Sequence, residues 1–329
     1  MVAMKMTSKE RVHAALKREP VDRVPIYMWY HPETRQYLSE LLDIPAERVV
    51  DAMGDDIRQR WVGGNYAMEG IVHDREGASH VDYWGLEWVR QGYFNQIRTY
   101  PLRNASREEI LGFSYPHDNI EVLLQQMHPI LPLADTFFIG CDVSPCAFEM
   151  VYRLCGMDDA LLNLAADPGL STKMLEDASA FAATLAQMAC ERFPIDWLWT
   201  GDDVAGQQTM MMRPQQWRDI IGPHLARVVA VGKEHGRWVA HHCCGATRPV
   251  IPDLIEMGVD VLNPIQGTCP GMDPVELKRE YGAELSFMGG IDTQDLLPNG
   301  SPDDVRRETE YMLEKMTADG GGYILAASH

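Results

Sequence analysis

Short apolar runs alternate with longer stretches of helical period along most of the chain, the pattern of parallel strands joined by crossover helices. Thr7 and Glu10 stand at capping-box spacing, which predicts a first helix through Val12, Ala15 and Leu16 that stops at Pro20. Val24-Pro25-Ile26-Tyr27-Met28-Trp29 predicts a first buried strand, and Ile57 to Val62 a second. From about His80 to Leu102 the residues Tyr83, Trp84, Trp88, Tyr93 and Phe94 are interleaved with polar residues and with Gly85 and Gly92, which predicts an inserted antiparallel excursion. After Asp135 the alternation becomes regular, with strands predicted over 136–141, 196–200, 238–243, 259–263, 285–289 and 323–326. Between them Leu170, Met174, Phe181, Leu185 and Met188 line one face of a long helix, and Val305, Thr309, Met312 and Met316 line another.

Eight strands close a β/α barrel. The expectation is therefore an α/β fold, a (β/α)8 TIM barrel with an antiparallel insertion around residues 80–102, in one domain spanning residues 1–329. An open doubly wound sheet is the alternative, but no Gly-rich dinucleotide fingerprint follows any of the strands. Only Ser328 and His329 follow the eighth strand, so the sequence lacks the helix expected to cover it.

The chain carries 29 Lys and Arg against 48 Asp and Glu, a formal charge of −19. That excess argues against nucleic-acid binding, because the densest basic step, Arg306-Arg307, is diluted by neighbouring carboxylates. With 46% hydrophobic and 23% charged residues the composition is that of a globular protein, which excludes disordered, collagen-like and coiled-coil classes. No uncharged run approaches the roughly 20 apolar residues of a spanning helix, so no membrane segment is expected. Met1 to Thr7 contains Lys5 and no apolar core of signal-peptide length. Seven cysteines, an odd number with several inside apolar runs, suit a reducing cytoplasm better than a disulfide scaffold.

A barrel gathers its active site at the C-terminal strand ends. The polar residues there are His31 after the first strand, Asp55 and Asp56 beside the second, Asp142 after the third, and Asp202 and Asp203 after the fourth. His241-His242-Cys243-Cys244 follows, then Asn263 and Gln266, Asp292, and Ser328 with His329. Asp and Asn also cap helices, so each carboxylate has a structural reading beside the functional one. His242 and Cys244 share one strand face, and His241 and Cys243 the other. A His-x-Cys pair at a barrel mouth offers an imidazole and a thiolate to zinc, and His329 or Cys269 is the candidate third ligand. Buried structural thiols and bonded imidazoles are the alternative. Asp202 and Asp203 are candidate proton acceptors. Trp29, Tyr30 and Trp61 are candidate walls for a flat apolar substrate, while Met210-Met211-Met212 reads as packing.

These residues also carry a resemblance. Glu10-Arg11 with Ala14-Ala15-Leu16, Asp22-Arg23-Val24-Pro25, Gly201-Asp202-Asp203, Trp217-Arg218 and His242-x-Cys244-Gly245 resemble the uroporphyrinogen decarboxylase superfamily. So do Gly258-Val259-Asp260 with Asn263-Pro264, Gly289-Gly290-Ile291-Asp292, and Gly321-Gly322-Tyr323-Ile324-Leu325 before His329. The resemblance implies a β/α barrel. True decarboxylases of this kind carry an Arg-Gln-Ala-Gly-Arg motif after the first strand, where this sequence has Tyr30-His31-Pro32-Glu33-Thr34-Arg35-Gln36-Tyr37. Loss of the paired arginines removes bidentate carboxylate recognition. The other branch resembles the methylcobamide:coenzyme M and related corrinoid-dependent methyltransferases, which hold zinc through His-x-Cys and a Cys near the end of strand eight. His242 and Cys244 match the first two positions, and His329 stands where the Cys is expected.

The leading expectation is a zinc-assisted methyltransferase that moves a methyl group between a corrinoid, or a small methylated compound, and a thiol or corrinoid acceptor. In it His242, Cys244 and His329 are metal ligands and Asp202, Asp203 and His242 are catalytic. Trp29, Tyr30, His31, Asp56, Trp61, Asp142, Asn263, Gln266 and Asp292 surround the substrate. Expected partners are the small-molecule substrate, a corrinoid protein and a second copy of the chain. A decarboxylase-like lyase acting on a tetrapyrrole or other carboxylate, and a non-catalytic corrinoid- or metal-binding barrel, are the alternatives.

Overall fold

The computed structural model describes residues 5–63 and 75–329, so the stretch Met1–Met4 named above lies outside the described residues. Seven parallel strands form a curled sheet in the order β1 (Ile57–Trp61), β5 (Phe138–Asp142), β6 (Trp197–Gly201), β7 (Trp238–His242), β8 (Val261–Ile265), β9 (Ser286–Ile291) and β10 (Tyr323–Ala327). A separate antiparallel sheet, β2 (Ser79–Val81), β3 (Glu87–Gln91) and β4 (Phe94–Thr99), occupies the expected insertion. The fold is α/β, of the TIM-barrel type. Among the described residues no helix is long and apolar enough to cross a membrane.

The expected first strand departs from the regular pattern. Residues 24–29 lie between β10 and β1, but their only ladder step is a parallel bridge from Ile26 to Leu325. The segment still closes the circle, because Tyr27 N–H donates to the Leu325 carbonyl at 3.1 Å and Asp56 N–H donates to the Ile26 carbonyl at 2.8 Å. Two features keep the ladder from extending. Pro25 has no N–H to donate. The N–H groups of Ile26 and Met28 turn to the side chains of Asp56 (2.9 Å) and Asp55 (3.3 Å) instead of to main-chain carbonyls of β1.

Period-two alternation sorts the strand residues between two cores. Tyr27, Ile57, Phe138, Trp197, Trp199, Ala240, Val261, Met288, Ile324 and Ala326 pack together inside the barrel, and Val12 and Leu16 of the Ser8–Leu16 helix join them. Neighbours of opposite parity, such as Ile139, Leu198, Val239, Leu262 and Phe287, pack outward in the core that includes the surrounding helices. Both faces are buried, which explains why these strands read as continuous apolar runs. The expected helices are present as Pro168–Arg192, whose N-terminus is capped by Asp167, and Pro302–Met316, capped by Ser301 and Asp304.

Two tryptophans inside one small barrel need space, and Gly140 provides it. A Cβ there would stand 2.3 Å from Trp197 Nε1 and 2.5 Å from Gln59 Oε1, which are hydrogen-bonded to each other at 2.7 Å. Gly140→Ala is therefore expected to lower unfolding free energy by about 2 kcal/mol, the usual scale of core overpacking. Urea denaturation against wild type checks this; an unchanged midpoint would show that the interior is looser than described.

Candidate metal centre

Strand β7 ends with His242 on its inward face. The imidazole stacks on Trp29, ring centroids 5.8 Å apart at 25°, and lies 6.3 Å from Trp199. Its Nδ1 donates to Asn263 Oδ1 at 2.8 Å, with the Asn263 amide oriented by donation to the Met288 carbonyl at 3.5 Å. That bond places the ring proton on Nδ1 and leaves the Nε2 lone pair directed at the mouth. Cys244 follows two residues on, its Sγ 3.5 Å from His242 Nε2. The third group is His329, with Nδ1 3.2 Å from the same sulfur.

These three donor atoms all lie within 4.8 Å of one another. Donors set tetrahedrally around one zinc ion stand roughly 3.3–3.6 Å apart, given bond lengths of about 2.0–2.3 Å. The two distances to sulfur therefore suit a shared ion. A single S–H could satisfy only one of the two imidazoles it meets. Packing at the mouth and the nearby His242 hold His329 below its ordinary value, against the upward pull of Asp203, which favours the neutral imidazole a ligand requires. Burial, with Asp203 second, raises the Cys244 thiol, so an uncompensated thiolate there is disfavoured and a cation would relieve it.

The backbone around Cys244 is held from three sides. Cys244 N–H donates to Asp203 Oδ1 at 2.8 Å, Gly245 N–H donates to Gln266 Oε1, and Ala246 N–H donates to the Gly206 carbonyl at 3.0 Å. Gly245 sits at φ +87°, and a Cβ on it would meet the Gly206 carbonyl oxygen at 2.4 Å. Only glycine fits this turn. The alternation expectation holds in the geometry: His241 bonds Thr200 Oγ1 at 3.0 Å, and Cys243 Sγ faces the Val204 N–H at 3.5 Å, both away from the cluster. Burial and the adjacent His242 push the His241 imidazole down to about 3. Cys269 is not in the cluster, since its thiol bonds Gln207 Oε1 at 3.3 Å.

The expected site residues divide sharply. Asp203 is at the centre, 4.0 Å from His242 Nε2. Asp202 turns away and is fully buried; its Oδ1 accepts the Glu149 N–H at 2.6 Å at the start of the Phe148–Cys155 helix. Burial holds its carboxyl up at about 7, and no partner for its Oδ2 stands among the described residues. Trp29 is at the mouth and about half exposed. Trp61 and Asp142 end β1 and β5 on the inner side, Trp61 donating to the Ser144 carbonyl at 2.6 Å. Asn263 bonds His242 and Gln266 accepts the Gly245 N–H, so both brace the cluster.

Four of the expected residues stand with other partners. Tyr30 faces Asp55 and Arg35, away from the cluster. His31 caps the Pro32–Leu42 helix by accepting the Glu33 N–H, and its other nitrogen meets the Tyr93 carbonyl at 2.8 Å. Asp56 is fully buried and occupied by Arg11 (2.6 Å), Arg23 (2.8 Å), Ser8 (2.8 Å) and the Ile26 N–H, so it ties the chain entry to β1. Asp292 caps a turn by accepting the N–H groups of Gln294, Asp295 and Leu296. Two contributors carried no sequence signal: Glu149, whose Oε2 accepts the Asp203 N–H, and Trp199, which flanks His242.

Residues 146–329 match the family model described as uroporphyrinogen decarboxylase (URO-D). A methylated-thiol–coenzyme M methyltransferase of Methanosarcina mazei is 21% identical over 199 residues, covering 60% of this chain and 48% of the relative. The chain thus spans about half the length of the curated relative it matches. Among solved structures, a methyltransferase from Methanosarcina mazei superposes with a TM-score of 0.68 at 17% identity, over 98% of this chain and 93% of the other. At that identity the likeness establishes the fold.

Asp142 generates a pH prediction. Burial raises its carboxyl to about 8, outweighing the bonds from Ser144 N–H (2.9 Å) and Oγ (2.6 Å). A folded value above the unfolded one means that its contribution to stability is full below about pH 4 and is lost as pH rises towards 8. Asp142→Asn should remove that loss, so the variant gains on wild type between pH 5 and pH 8. Urea midpoints at both pH values decide it, and a constant difference would refute the raised carboxyl.

Proposed function

The chain belongs to the uroporphyrinogen decarboxylase family, and from that premise we propose that it is a zinc-assisted methyltransferase, moving a methyl group between a corrinoid, or a small methylated compound, and a thiol or corrinoid acceptor. The observation that carries this reading is that donor atoms of His242, Cys244 and His329 lie within 4.8 Å of one another at the barrel mouth. The likeness to the Methanosarcina mazei relative, a methylated-thiol–coenzyme M methyltransferase, supports it.

His242, Cys244 and His329 would hold the ion and leave one position open to substrate. Zinc bound there supplies Lewis-acid polarisation of a thiol or of a leaving heteroatom. The remaining work falls to the chain. Asn263 keeps the His242 lone pair aimed outward. Asp203, beside His242 and bonded to the Cys244 backbone, is the carboxylate placed to accept a proton released when a thiol binds. Trp29 walls the mouth with an indole face, suited to a flat apolar group and to exclusion of water. The lyase alternative receives little support, because the Arg58 guanidinium bonds Asp51 at 2.6 Å and covers the Phe137 ring on the outer face of β1, where it cannot meet a carboxylate in the barrel.

Zinc or Co(II) titration of the purified chain is expected to show one tight site with a thiolate-to-metal absorption band. Asn263→Ala should weaken it by roughly 10–100-fold, as for other outer partners of a ligand histidine. Cys244→Ser should weaken it further and abolish demethylation of methylcobalamin in the presence of coenzyme M or a simple thiol. Wild-type protein that binds no metal, or a Ser variant that transfers methyl groups at the parental rate, would overturn the reading.

A further inference from the structure

The inserted antiparallel sheet has no part in the ligand set, yet a continuous line of contacts joins it to Cys244. Asp82 organises the sheet's edge by accepting the N–H groups of Trp84 (2.9 Å) and Leu86 (3.0 Å) and the Trp88 indole N–H (2.8 Å). The Arg153 guanidinium lies 5.7 Å from the ring centroids of both Trp88, in the insertion, and Trp61, at the end of β1. It donates to Glu149 Oε1 from Nε (3.0 Å) and Nη2 (2.7 Å). The second oxygen, Glu149 Oε2, accepts the Asp203 N–H at 3.2 Å, and Asp203 Oδ1 accepts the Cys244 N–H at 2.8 Å.

We infer that Glu149 and Arg153 are positioning residues that tether the Asp203–Cys244 pair to the inserted sheet, so that the insertion sets the geometry of the candidate metal loop. The chemical purpose of the tether rests on the metal reading; the tether itself does not. An exposed pair at i,i+4 on a helix is worth only tenths of a kcal/mol and has no reach beyond its own helix. This pair is different because Glu149 is buried and its two oxygens serve two different elements. Replacing the carboxylate by an amide leaves one acceptor oxygen for both tasks: either the Asp203 N–H or Arg153 then faces an NH2 group. Lysine at 153 keeps the charge but loses the planar fork that reaches Glu149 twice and lies over two indoles.

The test uses the full chain and the variants Glu149→Gln and Arg153→Lys, with Glu121→Gln as a control at an exposed ion pair with Arg192. Hydrogen exchange is read on the metal-free proteins in peptides spanning 202–206 and 242–246, well below the melting temperatures. Both variants are expected to exchange the Asp203 and Cys244 amides about tenfold faster than wild type, with the control unchanged. Co(II) affinity should fall by roughly tenfold and the thiolate-to-metal band should shift, a readout that a general loss of stability would not move. If Glu149→Gln fails to fold, Arg153→Lys decides alone. Wild-type exchange at both amides in the folded variants would overturn the inference. Faster exchange in a chain whose wild type binds no Co(II) would uphold the tether and remove the metal reading instead.

Discussion

Strand alternation in a closed barrel is the constraint on which the mouth depends. Because β7 leaves the barrel with His242 directed inward, His241 must face the helices, and the next inward position after His242 falls on Cys244. The strand ends before Cys244, so alternation alone would not keep the sulfur beside the imidazole. Gly245 completes the geometry: its positive φ folds the loop against the Gly206 carbonyl, and the bonds that the Cys244 and Gly245 N–H groups donate to Asp203 and Gln266 hold it there. A residue with a side chain at 245 would push the loop outward and carry Cys244 with it.

The carboxylates show how one residue type at similar positions performs different work. Asp202 and Asp203 are adjacent, and one serves a helix N-terminus while the other serves the Cys244 loop. Asp55 and Asp56 are adjacent, and together they take the main-chain N–H groups of residues 26 and 28. Burial without a full set of cations lifts Asp55 and Asp202 to about 7 and Asp142 to about 8. The acidic composition is thus partly a property of the interior, where carboxyls act as hydrogen-bond acceptors for backbone near strand ends.

Seven of the eight expected strands, the insertion and the His-x-Cys face were legible in the sequence because each follows from a local period. The strands β5 to β10 start within about two residues of their expected positions, since both faces are apolar and glycine or proline marks the ends. What stayed hidden depends on partners far along the chain. Nothing local shows that Asp56 is filled by Ser8, Arg11 and Arg23, or that residues 24–29 lose their ladder to two side chains. Glu149 and Arg153 carried no signal in the sequence, because the Asp203 backbone that Glu149 holds lies 54 residues away. The choice between His329 and Cys269 was equally closed, since both follow strand ends and only distance separates them.

The proposed ligand set has an electrostatic consequence. Two neutral imidazoles and one thiolate would bring a single negative charge to the point where they meet, one fewer than a set with a second thiolate. Asp203 stands 4.0 Å from His242 Nε2 without being among the three donors, so it sets an acidic group beside the cluster. Fixing Asp203 therefore matters twice, once for the Cys244 backbone it binds and once for the field it projects. A contact that shifts Asp203 by a fraction of an ångström changes both together, which is why the bond that the Asp203 N–H donates to Glu149 Oε2 bears on the geometry of the mouth.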